Sequence, residues 1–192
     1  MIKHLLKEIK KNIVGVGITV LSLVILTILY INLPKYEEYI QNILVKKDLE
    51  KEVEIAKNII KKIEDMSESS LISKISDRQF IKNANEILEV LNTSNTEYLY
   101  IIFESNGQFF IALDASKKDR MKPFDYIQLL PSEIPIIDQA IKDMEYKYLI
   151  HTHTPTLGMT LYIPFKDKNN INYILIKDYT IKKVQEIKSL ID

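Results

Sequence analysis

The chain has 192 residues, which is enough for one domain with an appendage. Lys and Arg together number 26, as do Asp and Glu, and this zero net charge argues against a protein that follows nucleic-acid phosphates. Hydrophobic residues make up 46% of the chain, so it can bury a core and is not expected to be disordered. Cysteine is absent, which excludes disulfides, cysteine-based metal sites and a cysteine nucleophile.

Residues 13–33 contain no charged side chain, whereas residues 1–12 hold four lysines and one glutamate. As a helix this run would be about 31 Å long, close to the thickness of a bilayer core. The sequence therefore predicts a transmembrane helix, and the positive-inside rule places residues 1–12 in the cytoplasm and residues 34–192 outside a bacterial inner membrane. The alternative is a cleaved signal peptide, but no small-residue cleavage site follows the run, which favours an uncleaved anchor.

The segment 36–66 is predicted to be a long helix. Its apolar residues recur in steps of four and three, which is a heptad-like stripe formed by Leu49, Val53, Ala56, Ile60 and Ile63. The stripe can pack on its own domain, or it can pair with the same helix of a second chain in a homodimer. A helix of this length can make both kinds of contact at once.

The rest of the chain changes from helical to strand patterns. A second helix is predicted over 78–92, and a hairpin turn at 104–107 contains the turn dipeptide Asn-Gly. The other predicted elements are strands over 98–103, 108–114, 148–153, 158–165 and 171–179 and helices over 135–146 and 181–191. This order predicts an α+β fold in which a five-stranded antiparallel sheet carries helices on one face.

This order of elements resembles the Cache family of extracellular sensor domains in bacterial histidine kinases, diguanylate cyclases and chemoreceptors. The local strings that are similar to the family's strands are 98–103, 106–107, 110–116, 157–165 and 174–179. The resemblance implies a PAS-like five-stranded antiparallel sheet behind a long N-terminal helix, here preceded by one transmembrane helix. It also implies that a small solute binds between the sheet and the 115–135 crossing and shifts the last strand and helix relative to the N-terminal helix.

Together, the predicted span and the resemblance divide the chain into a cytoplasmic segment 1–12, a transmembrane helix 13–33, a sensor domain 34–180 and a C-terminal helix 181–192. Two features depart from the family. The Tyr/Arg/Trp/Asp signature of amino-acid-binding members is not visible, and the chain has no Trp. No output module follows the sensor region in this sequence: either the sequence is the front part of a longer receptor, or a signalling partner supplies the output.

Three charged residues are candidate ligand contacts. Asp114 and Asp178 end two predicted strands, where a carboxylate either caps backbone N–H groups or binds a cationic or amine group of a small ligand. Arg120 lies on the crossing, where its guanidinium could clamp a ligand carboxylate; the alternative is a solvated loop charge.

Aromatic side chains concentrate in the sheet region, and most of them must be core. Tyrosine has a polar end, however, so some of these rings are candidates for a pocket wall. Tyr100 and Phe110 are expected on one face of the first hairpin. The candidates that would join them at the wall are Tyr126, Tyr162 and Tyr173.

His151 and His153 are two residues apart on a predicted strand and therefore share a face. His151 is a candidate ligand contact, and the pair with a nearby carboxylate would be a minor alternative as a metal site. No metal or other cofactor is expected. No catalytic motif is found, so the chain is not expected to be an enzyme. The alternative to a sensor is an anchored structural or assembly protein of the envelope with no ligand pocket.

Overall fold

The structure, a computed structural model, describes residues 2–67, 69–151 and 157–189. The chain divides into two compact units, of which the first ends at Val45 and the second begins at Lys46. Within the described ranges, no helix has both the length and the apolar run that crossing a membrane requires. The span predicted over 13–33 therefore gains no support from the structure.

Helices precede the first strand, as predicted. Helix α1 spans Ile2–Ser67, and the short helix α2 spans Leu71–Lys74. Helix α3 spans Arg78–Leu88 and continues as a single 3₁₀ turn over Glu89–Leu91. The carboxylate of Asp77 accepts hydrogen bonds from the first free N–H groups of α3, which explains why the helix begins there.

Five strands form one antiparallel sheet, which confirms the predicted α+β fold. The strands are β1 (Thr96–Ser105), β2 (Gln108–Asp114), β3 (Lys147–Ile150), β4 (Leu157–Lys166) and β5 (Asn172–Thr180). Their order across the sheet is β2-β1-β5-β4-β3, so β2 and β3 lie at opposite edges. Helix α4 (Ile134–Asp143) lies on the connection between these two edge strands, and α5 (Ile181–Lys188) follows β5.

The sheet is covered by helices on both faces, which corrects the prediction that they lie on one. On the first face, Ile137 of α4 packs with Ile102, Ile174 and Tyr162 in a buried cluster. On the second face, Glu52 of α1 forms an ion pair with Lys177 of β5. We call these two surfaces the crossing face and the α1 face. The prediction was wrong because a strand pattern shows that two faces are buried but not which element buries each.

A β-bulge changes the alternation of β2 relative to β1. Tyr100 pairs with Asp114, but Ile102 pairs with Ile111, so β2 contributes one residue more than β1 between these positions. Because successive side chains of a strand point to opposite faces, the extra residue reverses the faces on its two sides. Residues 108–111 therefore do not continue the alternation that Asp114 sets.

Candidate ligand-binding cavity

A cavity of about 380 Å³ lies on the crossing face, between the sheet and the segment that joins β2 to α4. This volume is in the range of small-molecule sites. The lining combines two tyrosines, four acidic residues, one serine and three apolar side chains: Tyr98, Tyr100, Asp114, Ser116, Asp119, Met121, Ile127, Leu130, Glu133 and Asp178.

Asp178 lies near the end of β5 and is only 5% exposed. The hydroxyl of Thr160 on β4 donates to one of its carboxylate oxygens at 2.5 Å, and the hydroxyl of Tyr100 on β1 donates to the other at 3.5 Å. Burial raises the pKa of Asp178 to about 7, and the negative charges of Glu133 and Glu97 act in the same direction. The two hydroxyl donors oppose this shift without cancelling it. The protein itself therefore balances the ionised form of Asp178 poorly.

Glu133, at the start of α4, is the main site residue that sequence reasoning missed. It is 7% exposed. One carboxylate oxygen accepts a hydrogen bond from the hydroxyl of Tyr162 at 2.8 Å, and the other accepts one from the backbone N–H of Leu130 at 2.7 Å. These bonds join the start of α4 to strand β4 across the cavity. The sequence carried a signal, because an acidic residue stands just before a helix that has Pro135 in its first turn.

Asp114 has both carboxylate oxygens occupied by backbone donors. The N–H of Ser116 donates to one at 2.8 Å, and the N–H of Met121 donates to the other at 2.8 Å. These bonds fix the first turn of the crossing after β2. Asp114 lines the cavity, and its geometry is that of the capping alternative considered for it, in which the carboxylate orders backbone N–H groups.

The charge of the cavity is one-sided. None of the described residues that line it is a Lys, Arg or His. A buried carboxylate without a counter-charge is unfavourable, so the cavity attracts a cationic group. The rings of Tyr98 and Tyr100 also line it and can interact with a cation through their faces. The arrangement can bind a small positively charged solute, and the described lining residues offer no cationic side chain to balance a ligand carboxylate.

Arg120 does not line this cavity. Its guanidinium donates at 2.5 Å to the carboxylate of Glu89 and at 2.5 Å to the backbone carbonyl of Ser116. The arginine side chain is 45% exposed. The structure thus gives it the geometry of a loop charge with an acidic partner, and the ligand-carboxylate clamp has no counterpart here.

Three of the predicted wall aromatics also lie elsewhere. Phe110 contacts Phe103, with ring centroids 5.8 Å apart, and Tyr126, with centroids 6.2 Å apart. The bulge in β2 places Phe110 on the other side of the sheet from Tyr100, contrary to expectation. Tyr173 contacts Phe103 at 6.1 Å on the α1 face, and its hydroxyl donates to Asp167 at 3.1 Å.

Two more of the predicted residues do not line the cavity but are hydrogen-bonded to residues in or next to its wall. Tyr162 reaches it through Glu133, and burial together with that carboxylate raises the pKa of the Tyr162 hydroxyl. His151 reaches it through Thr160, whose hydroxyl oxygen lies 2.7 Å from the Nε2 atom of the imidazole. His153 lies outside the described residues. In the described part of the chain, no three acidic or histidine side chains are grouped to hold a metal ion.

Comparisons with known proteins leave the family open. No family model matches the chain, and no curated protein matches it. A GAF domain of a sensor histidine kinase from Bacillus halodurans is 16% identical, with a TM-score of 0.38, 54% of this chain covered and 76% of that chain covered. The ligand-binding domain of the Campylobacter jejuni chemoreceptor Tlp3, in complex with L-valine, is 16% identical, with a TM-score of 0.40.

The Tlp3 match covers 77% of this chain and 66% of that domain, so the chain spans slightly less than two thirds of it. A type II free methionine-R-sulfoxide reductase from Thermoplasma acidophilum is 11% identical, with a TM-score of 0.36, 64% of this chain covered and 90% of that chain covered. With TM-scores near 0.4 and identities of 16% or less, these likenesses carry no argument about this chain.

Proposed function

We propose that the unit beginning at Lys46 is a Cache-type sensor domain whose cavity binds a small solute with a positively charged amine. The observation that carries this proposal is the cavity of about 380 Å³ on the crossing face, in which Asp178 and Glu133 are buried and no described lining residue is basic. Removing a charge from water is costly unless it is paired, and an ammonium group supplies the missing partner. The resemblance of the strand strings to the Cache family supports the same function.

The membrane part of the proposal rests on the sequence alone. The charge-free run 13–33 would anchor the domain in a bacterial inner membrane with residues 34–192 outside. Solute binding would favour one arrangement of β5 and α5 relative to α1, and a partner would convert that shift into an output. The free energy available for the shift is the difference in ligand affinity between the two arrangements. A homodimer through 36–66 remains part of the proposal.

The second candidate function is an anchored structural or assembly protein of the envelope. That function requires a sheet with solid core on both faces and uses the long helix as its working surface. The cavity between the sheet and the crossing supports the sensor over this candidate, because a filled crossing face would leave no space of ligand size.

Thermal unfolding of the full chain with three matched compounds tests the sensor. Butylamine carries only the amine, norvaline carries the same amine with a carboxylate, and butyrate carries only the carboxylate. At a hundred times its dissociation constant a ligand adds about 2.7 kcal/mol to the free energy of unfolding, which is about 5–10 °C for a chain of this size. We expect butylamine to raise the melting temperature most, norvaline less and butyrate not at all.

Two variants complete the test. Asp178→Asn removes the buried charge and should abolish the shift by butylamine. Glu104→Gln removes an exposed acid outside the cavity lining and should leave the shift unchanged. A shift by butyrate alone, or equal shifts in wild type and Asp178→Asn, would contradict amine binding at this cavity. A flat result with all three compounds on a folded sample favours the structural protein.

A further inference from the structure

We infer that His151 acts through Thr160 on the protonation state of Asp178 and so regulates cation binding in the cavity. This inference rests on the proposed function. It makes His151 a positioning residue, since its imidazole contacts Thr160 and is not among the side chains that line the cavity.

The three side chains form a hydrogen-bonded chain across neighbouring strands. Thr160 on β4 is opposite Asp178 on β5, and His151 directly follows β3, the strand on the other side of β4. The imidazole Nε2 lies 2.7 Å from the threonine hydroxyl oxygen, and that oxygen lies 2.5 Å from the Asp178 carboxylate. Thr160 is fully buried, so water does not compete for its hydroxyl.

A hydroxyl group has only one proton to donate, and this couples His151 to Asp178 through Thr160. When Asp178 is ionised, the Thr160 hydroxyl donates to the carboxylate and accepts from His151, so Nε2 must carry a proton. When Asp178 is protonated, it donates to Thr160, whose hydroxyl then donates to an unprotonated Nε2. The proton on Nε2 therefore favours the ionised carboxylate, and chains of this kind strengthen each bond in them.

The other groups that face Asp178 make this coupling effective. Glu97 on β1 and Glu133 before α4 are negative and favour the protonated carboxyl, whereas the Tyr100 hydroxyl on β1 favours the ionised form. Burial raises the pKa of Asp178 to about 7, so both forms are populated near neutral pH. A donor at Thr160 can then shift their ratio, and a cation binds only the ionised form.

The test is the titration of the Asp178 carboxyl by ¹³C NMR in the full chain, with the signal assigned by its loss in Asp178→Asn. His151→Phe keeps an aromatic ring but cannot donate. We expect this variant to raise the Asp178 midpoint by at least about half a pH unit. In a Thr160→Val background, His151→Phe should have no further effect, and Thr160→Ser should behave as wild type, because the coupling needs the hydroxyl.

Two results would overturn the inference. An unchanged Asp178 midpoint in His151→Phe shows that His151 does not act on the carboxyl. An equal shift in the Thr160→Val background shows that it acts through space and not through Thr160. Thr160→Ala serves as a second background if the valine variant does not fold.

A ligand readout separates this inference from the proposed function. The pH midpoint of the butylamine-induced thermal shift should rise in His151→Phe by the same amount as the carboxyl midpoint. If the carboxyl midpoint moves and butylamine never binds, the proposed function fails and so does the regulatory part of the inference. If butylamine binds with the same pH midpoint in both proteins, the proposed function holds and the inference fails.

Discussion

Replacement of Glu52 by Gln tests how helix α1 is held against the sheet. The Glu52 carboxylate accepts hydrogen bonds from Lys177 at 2.6 Å, from Lys183 at 3.2 Å and from the hydroxyl of Tyr179. Burial alone would raise the pKa of Glu52, but these donors outweigh it and lower the pKa below its ordinary value. The carboxylate is therefore charged at neutral pH and is the partner of two ammonium groups.

The loss in the free energy of unfolding expected for Glu52→Gln depends on which ammonium group is left without a carboxylate partner. The Lys177 side chain is 6% exposed, burial already lowers its pKa, and in the variant its ammonium group would lose the carboxylate that stabilises its charge. Lys183 would still have Asp48 at 2.6 Å. Breaking one buried pair from one side typically costs about 3–5 kcal/mol. For a chain of this size, that corresponds to a fall in melting temperature on the order of 10 °C.

The measurement is urea unfolding of the full chain, with an exposed pair as control. Lys82 and Glu86 form an ion pair at 4.0 Å whose side chains are 70% and 62% exposed. Glu86→Gln should therefore change the free energy of unfolding by less than about 0.5 kcal/mol. The triple variant Glu52→Leu, Lys177→Met and Tyr179→Phe replaces the ion pair and the buried hydroxyl that donates to Glu52 by apolar groups, and it should be within about 1 kcal/mol of wild type. A loss below about 1 kcal/mol in Glu52→Gln would refute the reasoning.

Two further predictions concern pH and membrane attachment. Because the folded-state pKa of Asp178 is raised to about 7, the folded protein binds more protons than the unfolded chain between about pH 4 and pH 7. As the pH rises through that interval, wild type should therefore lose stability relative to Asp178→Asn. In urea unfolding, the difference in the free energy of unfolding should change by more than about 1 kcal/mol between pH 4.5 and 8, and a constant difference would contradict this. For the anchor, the full chain should sediment with bacterial membranes and a variant starting at Lys35 should not, and equal sedimentation of both would remove the anchor proposal.

The first hairpin shows where local sequence was sufficient. Asn106 and Gly107 were predicted as the turn, and both adopt positive φ, at 54° and 74°. A two-residue turn of this type requires positive φ at both positions, and Asn-Gly is the dipeptide that tolerates it best. The strands on each side follow from alternation and from β-branched and aromatic residues. These signals are local, so no knowledge of the rest of the chain was needed.

The cavity could not be predicted in the same way, because it depends on the order of the strands. β2 and β3 are at opposite edges of the sheet, so the connection between them must cross the whole crossing face. Glu133 reaches the cavity through that connection. The ion pair of Arg120 with Glu89 is likewise formed by residues 31 positions apart in sequence. Neither the strand order nor such a pairing is contained in local periodicity.

Two of the three misplaced aromatics, Tyr173 and Phe110, lie on the other face for different physical reasons. Tyr173 and Asp178 are five residues apart on one strand, so alternation alone already puts them on opposite faces. This error was avoidable from the sequence. Phe110 and Asp114 are four residues apart and would share a face of a regular strand, but the bulge in β2 reverses one of them. The sequence of β2 does not indicate that bulge, because the strand contains neither Gly nor Pro.

The last residues of β5 give the argument for function its physical basis. Lys177 and Tyr179 point to the α1 face, where the Glu52 carboxylate satisfies both of them. Asp178, between them in sequence, points to the crossing face, where its contacts are two neutral hydroxyls and no described cavity-lining residue is basic. Selection for stability alone would favour a neutral or paired group there, as on the α1 face. A buried carboxylate with no basic partner among the described cavity-lining residues, next in sequence to a lysine that is fully paired on the other face, is the observation on which the proposed amine ligand rests.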